Sequence, residues 1–247
     1  MDNEQNLLIL PDIHGRTFYK EVLNDTTSKI VFLGDYVDPY PQEGITVEDA
    51  IVNLEEIIDF KQKNKDRVSL LLGNHDCGYI WPDVCSCRRS RKFYNDIKTM
   101  FKDNMDLFDL AFTWKTKDKN YLLSHAGVHK IWFDFVHDIA SKESPKNYDN
   151  ISDYLNNILH SNHSYLCDFL EVYSHYRGWT DSPVGSCVWA DLSEWFDDNV
   201  KDDKDLPYYQ IFGHSQLVKD PIIEEKFACI DCRRIFNLNE IINYGKN

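Results

Sequence analysis

The hydrophobic positions of this chain repeat one pattern, in which a short apolar run is followed by a polar cluster. Runs of three to five mostly apolar residues are typical of strands that are buried on both faces of a sheet. The sequence predicts such strands at residues 7–10, 30–33, 68–72, 121–123 and 208–212. Because a helical pattern separates the second and third runs, we expect a right-handed crossover and parallel pairing there.

The clearest helix is predicted at residues 46–60, where Val47, Ile51 and Leu54 begin an apolar stripe. Thr46 and Asp49 have the spacing of a capping box at its start. Further helices are predicted at residues 93–108, 130–140, 151–159 and 165–173, and further strands at residues 188–191, 227–231 and 234–238, the last two as a closing pair. The pattern predicts an α/β (α+β) fold with a single domain over residues 1–247 and a helical cap or flank at about residues 129–175.

Residues that can bind a metal or move a proton follow each of the five predicted strands. They are Asp12 and His14, Asp35 and Asp38, Asn74 and His75, His125, and His214. Taken one at a time, each cluster has a structural explanation as a turn, a helix cap or a hydrogen-bonded core residue. Turn chemistry does not explain five such clusters together, and the ends of strands in one sheet converge in space. The joint interpretation is a metal site.

The types of candidate ligand indicate which metals would bind. Carboxylates, imidazoles and one amide oxygen, without a thiolate, suit borderline divalent ions such as Mn, Fe, Co, Ni or Zn. The candidates are too many for one tetrahedral ion and about right for two. A pair of ions that shares a carboxylate is the arrangement that hydrolyses phosphate esters, because it binds phosphate oxygens and activates a water. We expect two divalent transition metal ions, with manganese as the first candidate.

Composition and charge narrow the classes of partner. With 43% hydrophobic and 28% charged residues, the chain is typical of a globular protein. Its formal net charge of −14 argues against binding to nucleic acid through the phosphate backbone. No apolar run has the length of a membrane span or signal peptide, so the expected location is the cytoplasm, with no membrane partner.

The cysteines do not indicate a disulfide framework. The chain has seven of them, an odd number without a secretory context, so reduced thiols are expected. Cys85 and Cys87, or Cys229 and Cys232, have the spacing of half a zinc site, but neither pair is matched by a second pair at a familiar spacing.

Five sequence blocks carry a resemblance to a known family. They are Asp12-Ile13-His14-Gly15, Gly34-Asp35-Tyr36-Val37-Asp38, Gly73-Asn74-His75-Asp76, Ser124-His125-Ala126-Gly127 and Gly213-His214. In this order they resemble the calcineurin-like metallophosphoesterases, most closely the branch that contains phosphoprotein phosphatases and symmetrical diadenosine tetraphosphate hydrolases. The resemblance implies a metallophosphoesterase fold, with two mixed β-sheets packed as a central sandwich flanked by helices.

The resemblance also implies a role for each matched residue. Asp35 would bridge the two ions. The remaining ligands would be Asp12 and His14 for the first ion, and Asn74, His125 and His214 for the second. His75 would bind no metal and would act as a general acid on the leaving group, oriented by Asp38. A paired carboxylate raises the pKa of an imidazole, which suits that task.

One departure from the family concerns the substrate. Phosphoprotein phosphatases usually continue the second block as Asp-Arg-Gly, and that arginine binds the substrate phosphate. Here the chain reads Asp38-Pro39-Tyr40. A charged hydrogen bond of this kind contributes roughly 1.5–3 kcal/mol, so another cation is expected to replace it. The candidates are Arg16 and Arg177, each of which could instead be a structural arginine.

Three functions follow from these observations. The first is a two-metal phosphomonoesterase that acts on phosphoproteins or small phosphorylated molecules. The second is a dinucleotide polyphosphate hydrolase or phosphodiesterase on the same scaffold. Two features favour it: Gly73-Asn74-His75-Asp76 in place of the usual Gly-Asn-His-Glu, and the block His125-Ala126-Gly127. The third is an inactive scaffold protein, which would be expected to have lost ligands, whereas none is missing here. The sequence does not indicate an oligomeric state.

Overall fold

The computed structural model describes residues 6–81, 88–143, 150–161, 163–178, 181–201 and 206–244. Cys85 and Cys87, one of the two half-sites considered for zinc, lie outside these residues. The other pair, Cys229 and Cys232, consists of free buried thiols. No helix in the described part of the chain is long and apolar enough to span a bilayer.

The described residues form two five-stranded sheets with helices around them. In chain order, the strands are β1 (Leu7–Leu10), β2 (Lys29–Phe32), β3 (Val68–Leu71), β4 (Phe108–Asp109), β5 (Ala111–Lys115), β6 (Asn120–Ser124), β7 (Tyr209–Phe212), β8 (Ile222–Ile223), β9 (Phe227–Cys229) and β10 (Phe236–Asn237). The α-helices are α1 (Val47–Lys63), α2 (Asn74–Ile80), α3 (Tyr94–Asp103), α4 (Lys130–Glu143), α5 (Ile151–His160), α6 (Leu166–Leu170), α7 (Asp198–Lys201) and α8 (Leu238–Asn243). Short 3₁₀ helices occur at Phe18–Val22, Pro41–Glu43, Met105–Leu107 and Leu192–Phe196.

Both sheets are mixed. The first has the strand order β10-β1-β2-β3-β4, with β1 to β4 parallel and β10 antiparallel to β1. The second has the order β5-β6-β7-β9-β8, with β6, β7 and β9 parallel between two antiparallel edge strands. The parallel pairing expected for the second and third apolar runs is therefore confirmed, with Ile30 opposite Val68.

The two sheets pack face to face, and the alternation of side chains explains why their strands are apolar throughout. Ile9 and Val31 point from the first sheet into a buried cluster that also contains Leu123 and Ile211 of the second. Their neighbours on the same strands, such as Phe32, point to the opposite face, where helices cover them. Successive side chains of a strand face opposite sides, so a strand buried on both faces has no polar alternation. The sandwich of two mixed sheets flanked by helices is confirmed.

Helix α1 shows how the sequence sets a helix start. The backbone N–H of Asp49 donates to Oγ1 of Thr46 (3.0 Å), and the Thr46 N–H donates to the Asp49 carboxylate (3.1 Å). This is the predicted capping box, and it satisfies two backbone donors that the first turn leaves without partners. The helix ends at Lys63, three residues beyond the prediction.

Four of the predicted elements differ from the structure. Residues 93–108 are not one helix: α3 ends at Asp103, and Phe108 pairs with Leu70 as the start of β4. Residues 188–191 form a turn, because the N–H groups of both Trp189 and Ala190 donate to the carbonyl of Ser186. The closing strands do not pair with each other, since β9 joins the second sheet and β10 the first. The helix predicted at residues 165–173 is shorter, Leu166–Leu170.

Helices α4, α5 and α6 occupy the segment predicted to be a helical flank. Asn156 of α5 accepts hydrogen bonds from the backbone of Leu110 and Ala111 and donates one to the Ala111 carbonyl, which ties this helix to the edge strand β5. Trp132 of α4 donates its indole N–H to the carbonyl of Phe169 in α6. The segment is thus attached to the edge of the second sheet.

Candidate active site

The carboxyl ends of five parallel strands meet at one edge of the sandwich and bring the predicted residues together. Asp12 and His14 follow β1, Asp35 and Asp38 follow β2, Asn74 and His75 follow β3, His125 follows β6, and His214 follows β7. All are at most 6% exposed except His214, which is half-buried. The eight polar side chains therefore form one largely buried cluster at the edge where the two sheets meet.

Asp35 lies at the centre of this group. One of its carboxylate oxygens is 3.4 Å from Nε2 of His14 and 3.7 Å from Nε2 of His125. Two compact groups of possible ligands share Asp35: one contains His14 and His75, the other His125 and His214. A shared carboxylate between two sets of donors is the arrangement expected for a bridging ligand.

The other two predicted ligands, Asp12 and Asn74, lie next to His14 and His125, respectively. Oδ2 of Asp12 is 3.9 Å from Nε2 of His14, while Oδ1 accepts the backbone N–H of His214 (2.9 Å). Oδ1 of Asn74 is 3.0 Å from Nε2 of His125. Each of the six predicted metal ligands is thus next to another member of the set.

Hydrogen bonds on the far side of two imidazoles determine which nitrogen faces the centre. Nδ1 of His14 lies 2.9 Å from the carbonyl oxygen of Val37, and Nδ1 of His125 lies 2.9 Å from that of Leu33. A carbonyl only accepts, so each Nδ1 carries the proton and each Nε2 presents a lone pair. Such second contacts are the usual support of metal-binding histidines.

The residues fit a pair of cations because hydrogen-bond acceptors of different side chains face one another. The lone pair of His14 Nε2 faces the carboxylate of Asp35 as well as Nη2 of Arg88. That of His125 Nε2 faces Asn74 Oδ1 and Asp35 as well as Nδ1 of His214. In addition, Nε2 of His214 is buried and has no hydrogen-bond partner among the described residues. Buried acceptors that face one another are costly unless a cation lies between them. The donor set of oxygens and imidazoles suits divalent transition metal ions.

The charges of the site agree with ligands in their metal-binding forms. Burial alone would raise the pKa of Asp35, but the neighbouring His125, His75 and His14 lower it to about 2. Burial lowers the pKa of His14 to about 3, so its imidazole is neutral and its lone pair is available. A carboxylate that stays ionised and an imidazole that stays neutral are what metal binding requires.

Strained backbone positions these side chains. His14, Asp35, Asp38 and His214 have φ angles of 44°, 53°, 59° and 61°, in the left-handed region that residues with a Cβ rarely adopt. Strain of this kind costs about 1–3 kcal/mol per residue and persists only where the surroundings hold it. Four of the eight residues at the site share this conformation. The backbone of the turns, as well as the choice of side chains, therefore contributes to the arrangement of the site.

Asp76 holds two of these turns together, a role that was not predicted. Its carboxylate is fully buried and accepts three backbone N–H groups, from Asp35 (2.8 Å), Tyr36 (3.0 Å) and Gly73 (2.8 Å). It therefore links the turn after β2 to the start of α2. The available signal was its place directly after Asn74-His75, three residues after a glycine that begins a helix.

Gly34 and Gly73 let the same two turns approach each other. A Cβ on Gly34 would lie 2.4 Å from the backbone nitrogen of Gly73, and a Cβ on Gly73 would lie 2.1 Å from Oδ1 of Asp35. Gly34 also has φ of +111°. Only glycine fits at these two positions, and their contact brings Asp35 next to Asn74 and His75.

His75 is bound to a carboxylate on one side. Its Nδ1 lies 2.8 Å from Oδ2 of Asp38, and the hydroxyl of Tyr79 donates to the other oxygen, Oδ1, at 2.5 Å. Burial alone would lower the pKa of His75, but the charge of Asp35 and the hydrogen bond and charge of Asp38 raise it. His75 is also close enough to His14 and Asp35 to share a metal with them, so geometry alone allows a ligand role.

Comparison with known proteins agrees with the geometry. The sequence profile of the calcineurin-like phosphoesterases matches residues 6–220. This chain belongs to the calcineurin-like phosphoesterases. The family is metal-dependent and the protein is a phosphoester hydrolase. No curated protein sequence matches the chain at significance.

Solved structures with the same fold include a cold-active protein-tyrosine phosphatase from a psychrophilic Shewanella species. The present chain is 16% identical in sequence to the Shewanella enzyme. The two structures align with a TM-score of 0.54 over 92% of the present chain and 71% of the Shewanella chain. The phosphatase domain of the Legionella effector WipB matches at 12% identity and a TM-score of 0.38, over 69% of this chain and 66% of that one. At this level of identity the first likeness supports the fold alone.

The two arginines proposed to bind phosphate are both neutralised in this phosphoesterase. Arg16 donates from Nε (2.8 Å) and Nη2 (3.0 Å) to the carboxylate of Glu43, and from Nη1 to the carbonyl of Asp12. Arg177 pairs with Asp191 at 2.6 Å and donates to Ser215 at 3.0 Å. Both lie beside the metal ligands, but their guanidinium groups are already bound by protein side chains.

A third arginine, Arg88, lies closer to the centre than the sequence indicated. Its Nη2 is 3.3 Å from the carbonyl oxygen of Asp38 and 3.4 Å from Nε2 of His14. The sequence shows it as one of three arginines, with Arg89 and Arg91, in an irregular segment. Only the fold places Arg88 beside the predicted metal ligand His14, because the contact joins residues 74 positions apart.

Proposed function

We propose that this protein is a two-metal phosphomonoesterase in which Asp35 bridges the ions. The observation that supports this most is the position of Asp35, between the lone pairs of His14 on one side and His125 on the other. Both Nε2 atoms face the carboxylate of Asp35, and Asp35 is held ionised by its surroundings. The first ion would be held by Asp12, His14 and Asp35, and the second by Asp35, Asn74, His125 and His214.

The ions would supply charge stabilisation on the phosphate oxygens and a water of lowered pKa. The protein's own residues supply the rest. The backbone contacts of Asp76 and the glycines of the two turns hold the ligands in place, so that little reorganisation accompanies the reaction. The buried edge of the two sheets excludes bulk water from the reacting group.

His75 is proposed to be the general acid. Asp38 holds its Nδ1–H, so that the Nε2 side of the ring is directed toward His14 and Asp35. The raised pKa favours the protonated form of this imidazole, and a protonated imidazole binds no metal. In this role Nε2–H donates its proton to the oxygen of the leaving alcohol as the P–O bond breaks.

One of the two features that favoured a dinucleotide substrate, the aspartate at position 76, does not bear on the choice of substrate. Asp76, the residue that replaces the usual glutamate, is fully buried and bound to three backbone N–H groups. Its carboxylate therefore cannot contact a substrate. The phosphomonoester remains the proposed substrate class, carried on a protein or on a small molecule, with manganese as the proposed ion.

The test is the metal content of two matched variants. Asp35→Asn removes the shared charge and is expected to lose both ions, whereas Asp59→Asn, an exposed carboxylate on α1, should keep two per chain. Metal content is measured by mass spectrometry after dialysis, beside hydrolysis of p-nitrophenyl phosphate and bis-p-nitrophenyl phosphate. Two ions retained in Asp35→Asn would contradict the bridging role. Faster hydrolysis of the diester by the wild-type protein would contradict the monoesterase assignment.

A further inference from the structure

Arg88 is a half-buried cation at the rim of the site. Among the described residues, its buried Nε has no hydrogen-bond partner and its guanidinium forms no ion pair with a carboxylate. Its contacts there are the carbonyl of Asp38, the ring of His14 and the side chain of Tyr40. A half-buried guanidinium that no carboxylate of the described residues neutralises would be stabilised by a bound anion.

Tyr40 fixes the plane of this guanidinium. Cζ of Arg88 lies 3.7 Å from the centroid of the Tyr40 ring, a stacked arrangement. The same ring meets His14 edge to face, with centroids 4.9 Å apart. Tyr40 therefore holds Arg88 against a predicted metal ligand, and stacking leaves the N–H groups at the edge of the guanidinium directed along its plane.

Arg88 lies beside both a proposed metal ligand and the residue that orients the proposed general acid. One neighbour, His14, is a proposed ligand of the first ion, and the other, Asp38, orients the proposed general acid. A phosphate bound between the ions and His75 would therefore present its oxygens within reach of Arg88. Arg16 and Arg177 lie near the same ligands, but Glu43 and Asp191 already neutralise them.

We propose that Arg88, stacked on Tyr40, binds a non-bridging oxygen of the substrate phosphate and gives the site its preference for monoesters. This inference rests on the proposed function. The guanidinium N–H groups are charged, directional donors that suit phosphate oxygens. A monoester carries close to two negative charges near neutral pH and a diester carries one, so an added cation favours the monoester.

The direct test is binding of inorganic phosphate to the manganese-loaded protein, measured by calorimetry. Arg88→Met should raise the dissociation constant roughly 10- to 100-fold, because it removes a charge-assisted hydrogen bond. Arg88→Lys should recover part of the loss, since it restores the charge without the planar guanidinium. Arg91→Met removes the same charge from an exposed position three residues away and should bind phosphate as the wild type does. Tyr40→Leu should weaken binding by a smaller factor than Arg88→Met.

Two further readouts separate the possible outcomes. Metal content should be unchanged in Arg88→Met, and the ratio of monoester to diester kcat/KM should fall. If Arg88→Met binds phosphate as tightly as the wild type, or loses metal, the proposed role of Arg88 is wrong. The proposed function is unaffected by that result as long as the wild-type enzyme is active. A wild-type protein that holds metal but neither binds nor releases phosphate would overturn the proposed function and this inference with it.

Discussion

The two sheets contribute different chemistry to the site and hold it in different ways. The first sheet supplies the carboxylates, the amide and the proposed acid, and its turns are fixed by protein hydrogen bonds such as those of Asp76. The second sheet supplies only the imidazoles of His125 and His214, and Nε2 of His214 is left without a partner in the described residues.

This difference indicates which part of the site is organised before the metal binds. Strained φ angles occur in both sheets, at His214 as well as in the first-sheet turns, but the first-sheet turns are also tied to each other by three hydrogen bonds to Asp76. The contacts of the second-sheet imidazoles run to the first sheet: His125 to the carbonyl of Leu33, and the N–H of His214 to Asp12. We therefore expect substitutions at the first-sheet turns to affect both the fold and the chemistry, and the loss of His214 to affect metal binding alone.

The largest effect should come from the proposed acid on the first-sheet side. His75→Asn is expected to reduce kcat for an alkyl phosphate about 10²- to 10⁴-fold, the range that a positioned acid contributes. The loss for p-nitrophenyl phosphate should be much smaller, because its leaving group needs no proton. Steady-state kinetics on both esters measures the difference, with metal content checked in the same preparation.

Equal losses on the two esters would remove the acid role from His75. Loss of one metal ion in His75→Asn would instead assign His75 as a ligand, which its distance from His14 and Asp35 allows.

The next effect concerns stability. Asp76→Asn replaces one carboxylate oxygen by an amide NH₂, which would face a backbone N–H of Asp35, Tyr36 or Gly73. A lost charge-assisted bond with an unpaired buried donor should lower the free energy of unfolding by about 2–4 kcal/mol. Urea denaturation of the metal-free protein measures this, with Asp59→Asn as the exposed control. A change within about 0.5 kcal/mol would show that Asp76 does not hold the turns.

The smallest effect should come from the second-sheet side in the absence of metal. His214→Phe replaces a half-buried imidazole by an apolar ring of similar size. Nε2 of His214 has no partner among the described residues and its Nδ1 lies 3.1 Å from Nε2 of His125, so the metal-free free energy of unfolding should change by about 1 kcal/mol or less. The rise in Tm on adding Mn²⁺ should shrink, because one ion loses a ligand. His137→Phe on the exposed face of α4 is the control. Strong destabilisation of the metal-free His214→Phe protein would contradict the contrast between the two sheets.

The sequence predicts the strands and the polar residues at their ends because both are local signals. An apolar run that is buried on both faces and a cluster directly after it can be found without the fold. Strands β4, β5 and β8 were missed. In β4, Phe108 continues the helical pattern of α3, and only pairing with Leu70 makes it a strand. Residues 188–191 are apolar enough for a strand, but two N–H groups on the Ser186 carbonyl fold them into a turn.

The roles of particular polar side chains were the least predictable part. Arg16 and Arg177 do lie at the site, but whether an arginine is free depends on Glu43 and Asp191, which come from distant parts of the chain. Arg88 and Tyr79 reach Asp38 across 50 and 41 residues, respectively. Such contacts leave no periodic or spacing signal in a single sequence. The predicted metal ligands and the His75–Asp38 pair were accessible because each has a strand end to mark it.

The position of Asp35 between two metal ions can be tested directly by anomalous diffraction from crystals of the manganese-loaded protein. Two manganese peaks are expected, one on each side of the Asp35 carboxylate. The first should lie beside Asp12 and His14, and the second beside Asn74, His125 and His214. A single peak, or two peaks that do not share Asp35, would contradict this position of Asp35.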